Sequence, residues 1–233
     1  MDFAAKAGPV LDLYQRRWQG RPLGPRDFVR SADEKTQIPI RSRRVPITPP
    51  APGHAMRVET DYTRHVTCAY LAAWDVHRAA LFGRVASKLS IVAFDALVAE
   101  VMTQAPYCTA RRVVWVVDNG TIHRGQRALA RLQARWPTRI LVHTPVHASW
   151  LNQIEIYFSI LQRKALTPAD FASQPAVADR ILGFQQHYQT VARPFAWRFT
   201  RRDRARLLAR CPAADTLTRS PHRIRHRTFV PLY

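Results

Sequence analysis

Acidic side chains number only 16 among 233 residues, few enough to weigh one at a time. Asp118 ends a run of β-branched and apolar residues, RRVVWVVDNG at 111–120. Ligands of α/β sheets collect beyond the carboxyl ends of strands, where Asp118 would stand. Asp-Asn-Gly is equally a turn signal, and taken alone the segment supports both readings. Glu155 is the only acid between Asp118 and Asp170, on the amphipathic segment SWLNQIEIYFSILQRKAL at 149–166. Its helical neighbours Asn152, Ser159 and Gln162 are polar but uncharged. A solvated helix face ordinarily carries several charges in i,i+4 pairs, so a lone acid in such company suits a metal ligand. Asp33 closes a short β-prone run, FVRSAD at 28–33. Glu34 beside it should point to the opposite face, because strand side chains alternate. Asp75 is the competing early carboxylate, but its place between two strand-like runs makes it a hairpin-turn residue.

Three carboxylates from separate segments would suit two divalent cations. Mg²⁺ prefers oxygen ligands and keeps waters for substrate phosphate. Two ions about 4 Å apart can stabilise the attacking and leaving oxygens of an in-line displacement. Such chemistry on a phosphodiester needs surrounding positive charge, and the chain supplies it: 36 Lys+Arg give a net charge of +20. That balance favours a polyanionic partner, most simply nucleic acid. Arg makes up 32 of the 36; its planar fork suits phosphate, although GC-rich coding would also enrich it. Residues 1–118 hold 17 basic and 11 acidic residues, whereas residues 119–233 hold 19 and 5. The second half is therefore where phosphate backbone is expected. Arg127, Arg131 and Arg135 recur every four residues with no acid among them, which favours phosphate contact over a solvated stripe.

Other classes are excluded or unsupported. No apolar stretch approaches the roughly 18 residues of a membrane span. The N-terminus lacks the layout of a secretory signal, so a reduced, cytosolic setting is the default. Cys68, Cys108 and Cys211 are scattered and odd in number, with no CxxC and no disulfide framework. His143 and His147 are four apart, but Pro145 between them argues against a zinc pair on one helical face. With 47% hydrophobic residues the chain can build a core.

The elements that must position these groups follow from periodicity. A short helix within residues 1–19 is ended by GRPLGPRD. A strand at 28–33 follows, then a proline-rich loop at 45–53. Residues 65–76 and 80–86 form a strand hairpin turning at 75–78. A helix at 91–105 precedes a strand at 111–120 that is buried on both faces. A helix at 125–136, a strand at 139–145 and a helix at 149–166 with Ser149 as its N-cap complete the alternation. Two further helices at 175–190 and 200–210 precede a basic tail at 211–233 without periodicity, expected to be disordered. This order predicts a mixed α/β sheet, antiparallel over its first three strands and then parallel, flanked by helices.

The strings VVDNGTIHRG and HTPVHASWLNQIEIYFSILQRKAL, with SADEKTQI upstream and ARPFAWRFTRRD downstream, resemble the DDE transposases of bacterial insertion sequences related to the mariner group. The resemblance runs over about residues 8–210. It implies an RNase H-like fold, with Asp33, Asp118 and Glu155 as the catalytic, metal-binding triad. The 36 residues between Asp118 and Glu155 are similar to the family's spacing. It further implies two Mg²⁺ or Mn²⁺ ions, cleavage of double-stranded DNA at transposon ends, and strand transfer into target DNA. The working form would be a homodimer on DNA in the bacterial cytoplasm, at the nucleoid. Asn119, His123, His147 and Asn152 lie in the motif blocks and would orient the ligands or the DNA. Arg124, Arg127, Arg131, Arg135, Arg163 and Lys164 are the candidate DNA contacts.

The implied organisation is an N-terminal helix and linker (1–25), a catalytic domain (26–168), a helical extension (169–210) and the tail. About 30 residues precede Asp33, too few for the helix-turn-helix reader of family members, so the expectation is the catalytic half of a truncated or split transposase. The tail does not resemble the family. Two alternatives stay open: a catalytically silent DNA-binding remnant, and a cellular RNase H-like nuclease or resolvase, which the SWLNQIE block disfavours.

Overall fold

The computed structural model describes residues 3–43, 48–56, 62–120, 126–167, 171 and 173–210. Helix α1 (Phe3–Tyr14) is followed by a two-residue-per-strand hairpin, β1 (Arg17–Trp18) and β2 (Arg21–Pro22). A five-stranded sheet then forms from β3 (Asp27–Arg43), β4 (Tyr62–Asp75), β5 (Leu81–Ala86), β6 (Arg112–Val117) and β7 (Arg139–His143), in the order β5-β4-β3-β6-β7. The β3, β4 and β5 pairings are antiparallel, and β6 and β7 add to β3 in parallel, as the element order predicted.

The helices cover both faces. Val113, Trp115 and Val117 of β6 pack with Phe94, Leu97, Val98 and Val101 of α2 (Ile91–Met102) and with Leu132 of α3 (Gln126–Arg135). Val114 and Val116 point the other way, into a layer built by Val10 and Leu13 of α1, by Ile154, Tyr157, Phe158 and Leu161 of α4 (Ile154–Lys164), and by Val177 and Ile181 of α5 (Gln174–Val191). Burial on both faces explains why β6 reads as a continuous apolar run rather than an alternating one. These elements form one compact unit, Met1–Trp197. Helix α6 (Arg201–Arg210) belongs to a second, Arg198–Tyr233, and begins with a reciprocal cap in which Thr200 and Asp203 each accept the other's backbone N–H. No described helix is long and apolar enough to cross a membrane.

Two expectations need correction. The first long strand does not close at Asp33 but runs ten residues on to Arg43. Its pairing with β6 ends at Ser31, so beyond that point one edge is open and only β4 continues alongside. Pro39, which cannot donate to a ladder, is accommodated on this half-free stretch beside a register shift. The helix expected from 149 begins only at Ile154, after a 3₁₀ turn at Ser149–Leu151, and Ser149 caps nothing in it. Within 45–53, residues 48–53 are exposed and irregular, as expected, and Ala51 bridges to His54, while 45–47 lie outside the described residues. The tail at 211–233 also lies outside them.

Asp75 sits in the β4–β5 turn, where its Oδ1 accepts the N–H of His77 (3.0 Å) and of Arg78 (2.9 Å). Its Oδ2 accepts from the Tyr107 hydroxyl at 2.8 Å. Tyr107 in turn lies 4.0 Å from the guanidinium of Arg30, which is fully buried and donates to the Ala80 carbonyl. The turn carboxylate thus also balances a cation inside the core.

Candidate active site

The parallel strands end on one edge of the sheet, and the three carboxylates gather there. Asp33 lies two residues beyond the last β3–β6 pair and is 8% exposed. Burial, then the nearby charges of Asp118, Glu34 and Glu155, push its carboxyl up to about 8, against the N–H of Glu34, which donates to its Oδ1 at 2.8 Å. Asp118 is the first residue after β6 and is half-buried. Its Oδ1 accepts the Gly120 N–H at 2.7 Å, and its carbonyl oxygen is 3.0 Å from His143 Nδ1. A side chain at Gly120 would put its Cβ 2.8 Å from that Oδ1, so glycine is needed for this close approach. Glu155 opens α4, half-buried. Burial raises its pKa, the charge of Lys35 lowers it, and Asp118 and Glu34 raise it again.

Glu34 corrects a further expectation. Its Oε1 would stand 3.5 Å from a Cβ on Gly120, so the carboxylate reaches the loop after β6 instead of avoiding it. β6 has left the edge of β3 by Ser31, and nothing of the sheet separates a long side chain at 34 from that loop. The edge therefore carries four carboxylates.

A hydrogen-bonded latch fixes the start of α4 against β3. Asn152 is fully buried, and its Nδ2 donates to Asp33 Oδ2 at 3.0 Å and to the Ala32 carbonyl at 2.9 Å. Its Oδ1 accepts from the Ser31 hydroxyl. Ser31 Oγ also accepts the N–H of Ile154 at 2.8 Å, satisfying one of the free donors of the first helical turn. Gln153 gives no side-chain cap; the cap comes from β3. The committed side chain of Asn152 holds its backbone extended and delays the helix past Ser149. The Tyr14 hydroxyl of α1 adds a bond to the Leu151 carbonyl at 2.6 Å. Sequence reasoning singled out Asn152 but missed Ser31 and Tyr14, for which only the position of Ser31 two residues before Asp33 offers any signal.

The other candidates are scattered. Asn119 adjoins Asp118, donating to the Thr144 carbonyl and accepting from Lys6 Nζ at 3.1 Å. His147 is exposed in the β7–α4 loop with φ 60°. His123 and Arg124 lie outside the described residues, and so does the side chain of Arg127. α3 starts after the Asp118 loop and returns to the start of parallel β7, so it runs away from the acidic edge. Arg131 and Arg135 thus sit toward the far edge. Arg135 does have an acidic partner, against expectation: Asp95 of α2, at 3.6 Å. It was invisible because it lies on another helix. Arg163 and Lys164 are exposed on the last turn of α4, also leading away from Glu155. Of the polar neighbours expected around Glu155, Ser159 donates to its carbonyl at 2.9 Å, whereas Asn152 turns inward and Gln162 bonds Thr167.

Among the described residues the donors at the edge are carboxylate oxygens, the set that hard divalent cations take. Among the described residues no group of three His, Cys, Asp or Glu is drawn together tightly enough to hold an ion. The chemistry of the donors fits a divalent metal, and a bound ion would have to draw them in.

A family model, DDE superfamily endonuclease, matches residues 29–178, which hold all three acids of the triad. No curated protein matches the chain significantly. Among solved structures, the Mos1 mariner paired end complex with Mn is 13% identical with a TM-score of 0.51, covering 82% of this chain and 55% of that one. The complex with Mg is 14% identical with a TM-score of 0.51, covering 79% and 54%. The Mos1 transposase paired-end complex with left transposon end is 10% identical with a TM-score of 0.50, covering 82% and 56%. The chain thus spans just over half the length of these relatives. The likeness establishes the fold, the RNase H-like α/β fold of a transposase catalytic domain. With the family model matched across the acidic edge, the chain belongs to the DDE superfamily endonucleases.

Proposed function

We propose that this chain is the catalytic part of an insertion-sequence transposase, with Asp33, Asp118 and Glu155 as its catalytic carboxylates. The carrying observation is the convergence of these three acids, from a central strand, a strand end and a helix start, onto one edge inside the matched segment. Two Mg²⁺ or Mn²⁺ ions held by the triad would supply Lewis acidity and offset the charge of the reacting phosphate. The chain's own groups aim the ligands. The Glu34 N–H and the Asn152 amide each hold one oxygen of Asp33, the Gly120 N–H holds Asp118, and the latch through Ser31 sets Glu155 against both.

In the reaction proposed, water attacks a phosphodiester and leaves a 3′-hydroxyl, which then attacks a target phosphodiester as that bond breaks. The substrate would be double-stranded DNA, transposon ends and then target, in the cytoplasm at the nucleoid. The Mos1 paired-end complex with left transposon end, which it resembles, supports that substrate, and the working form proposed is a pair of chains. Exposed Arg131, Arg163 and Lys164 would extend the phosphate track, whereas Arg135 is already engaged by Asp95. Asn119, next to Asp118, and His147, in the β7–α4 loop, would contact DNA or steady the loops.

Purified protein with Mn²⁺ should nick plasmid DNA. Asp118→Asn should remove nicking by about a thousandfold or more while Tm holds within a few degrees. Equal nicking by the variant would sink the assignment. Salt-sensitive DNA binding without nicking would mark a silent DNA-binding relative instead. A preference for RNA–DNA hybrids would favour a cellular nuclease.

A further inference from the structure

Lysine is rare here, four residues against 32 arginines, and two of the four bear on the acidic edge: Lys35, whose charge lowers the pKa of Glu155, and Lys6, which reaches the loop beside Asp118. Helix α1 buries Ala7, Val10, Leu11 and Leu13. Lys6 lies one turn before Val10, on the same stripe. The packing that fixes Val10 and Leu13 therefore carries Lys6 to the loop after β6. There its ammonium donates to Asn119 Oδ1 at 3.1 Å, and Asn119 is itself anchored through Nδ2 to the Thr144 carbonyl. The next residue back is Asp118.

The nature of the partner decides what this lysine does. A neutral amide oxygen orients an ammonium without cancelling its charge. Arg135 is paired with Asp95, and Arg111 and Arg112 are both paired with Asp27. Among the described residues Lys6 has no carboxylate partner, and its ammonium stands beside Asn119 at the rim of a site lined by Asp33, Glu34, Asp118 and Glu155. A polyanion approaching that edge meets four carboxylates, and a fixed cation beside them would offset the repulsion and position one phosphate. An ammonium has three donors, and Asn119 takes one.

We propose that Lys6 binds a backbone phosphate of the DNA strand cut at this site, as a point charge delivered by the N-terminal helix. It lies outside the segment that the family model matches, 29–178. The proposal rests on the chain acting on DNA, and the test separates the two. Binding of a fluorescein-labelled DNA duplex is measured without divalent metal across a salt series, for wild type, Lys6→Met and Lys6→Arg. Lys6→Met should weaken binding about fivefold at about 0.1 M salt and reduce the log–log salt slope by about 0.9, while Lys6→Arg keeps both near wild type. In Mn²⁺ nicking, Lys6→Met should lose about the same factor at low DNA and less than about twofold at saturation. A wild-type slope in Lys6→Met overturns the proposal whatever its Tm, and leaves Lys6 as a tether for α1. Wild type that binds but never nicks overturns the catalytic reading alone, and the slopes still decide for Lys6. Wild type that does not bind the duplex overturns both.

Discussion

Asp27 and Asp33 lie on the same strand, six residues apart, both 8% exposed, and the protein treats them in opposite ways. Burial pushes Asp27 up, but the Arg111 guanidinium, the Gly24 N–H and the charge of Arg112 outweigh it and hold the carboxyl below the usual range. Asp33 is buried too, yet the charges around it are Asp118, Glu34 and Glu155, and it rises. Asp27 is neutralised within the fold by two arginines; Asp33 sits among other acids. Two buried aspartates of equal exposure therefore separate in the direction of their pKa shifts, with opposite signs of neighbouring charge.

The largest test of this contrast is substitution at the two positions. Asp33→Asn should abolish Mn²⁺-dependent nicking, by about a thousandfold or more, whereas Asp27→Asn should leave the rate within about twofold. Comparable losses in both would erase the distinction. Next comes the latch. Asn152→Ala strips Asp33 of a donor and Ser31 of an acceptor, and should cost about 2 kcal/mol in denaturant unfolding and about a hundredfold in nicking, since misplacing Glu155 by about an ångström suffices.

Titration separates the aspartates by direction. The folded state holds a proton on Asp33 up to about pH 8, while the unfolded chain releases it near pH 4. Stability of the metal-free protein should therefore fall as pH rises between those values, and Asp33→Asn should remove that fall. Asp27 acts with the opposite sign. Its depressed pKa contributes stability above the usual carboxylate range, which is lost as pH drops through the folded value, and Asp27→Asn should flatten that acid limb. Thermal melts of both variants from pH 3 to 9 check the pair; a Tm that rises with Asp33 ionisation would contradict the arrangement. The smallest effect is the stability cost of Asp27→Asn at pH 7, about 2 kcal/mol, because Arg111 and Arg112 are partly solvated and recover water.

The sequence carried the element order, and it singled out three acids that the fold brings to one edge, because both rest on local signals. Alternation and 3.6-residue periodicity mark strands and helices, and the scarcity of acids draws the eye to Asp118 and Glu155. What it did not carry are groups whose meaning lies across the sheet. Ser31 meets Asn152 across 121 residues, Tyr14 meets Leu151 across 137, and Lys6 meets Asn119 across 113. The acid facing Arg135 lies on α2, so a stripe that looks unpartnered along its own helix is partly neutralised by a neighbour. Glu34 escaped alternation because the strand beside it ends first. The helix start at 149 failed for a related reason: Ser149 has the chemistry of a cap, but Asn152 is claimed by β3.

That borrowed cap has a consequence in time. A helix whose first turn is completed by a serine 123 residues upstream has little to nucleate it before strand and helix dock. The peptide 149–166 alone should be mostly unstructured by circular dichroism, and a strongly helical one would refute this. The carboxylate that α4 contributes then takes its place only once the sheet is built. A half-finished chain would hold two of the acids in a strand and a loop, without the third.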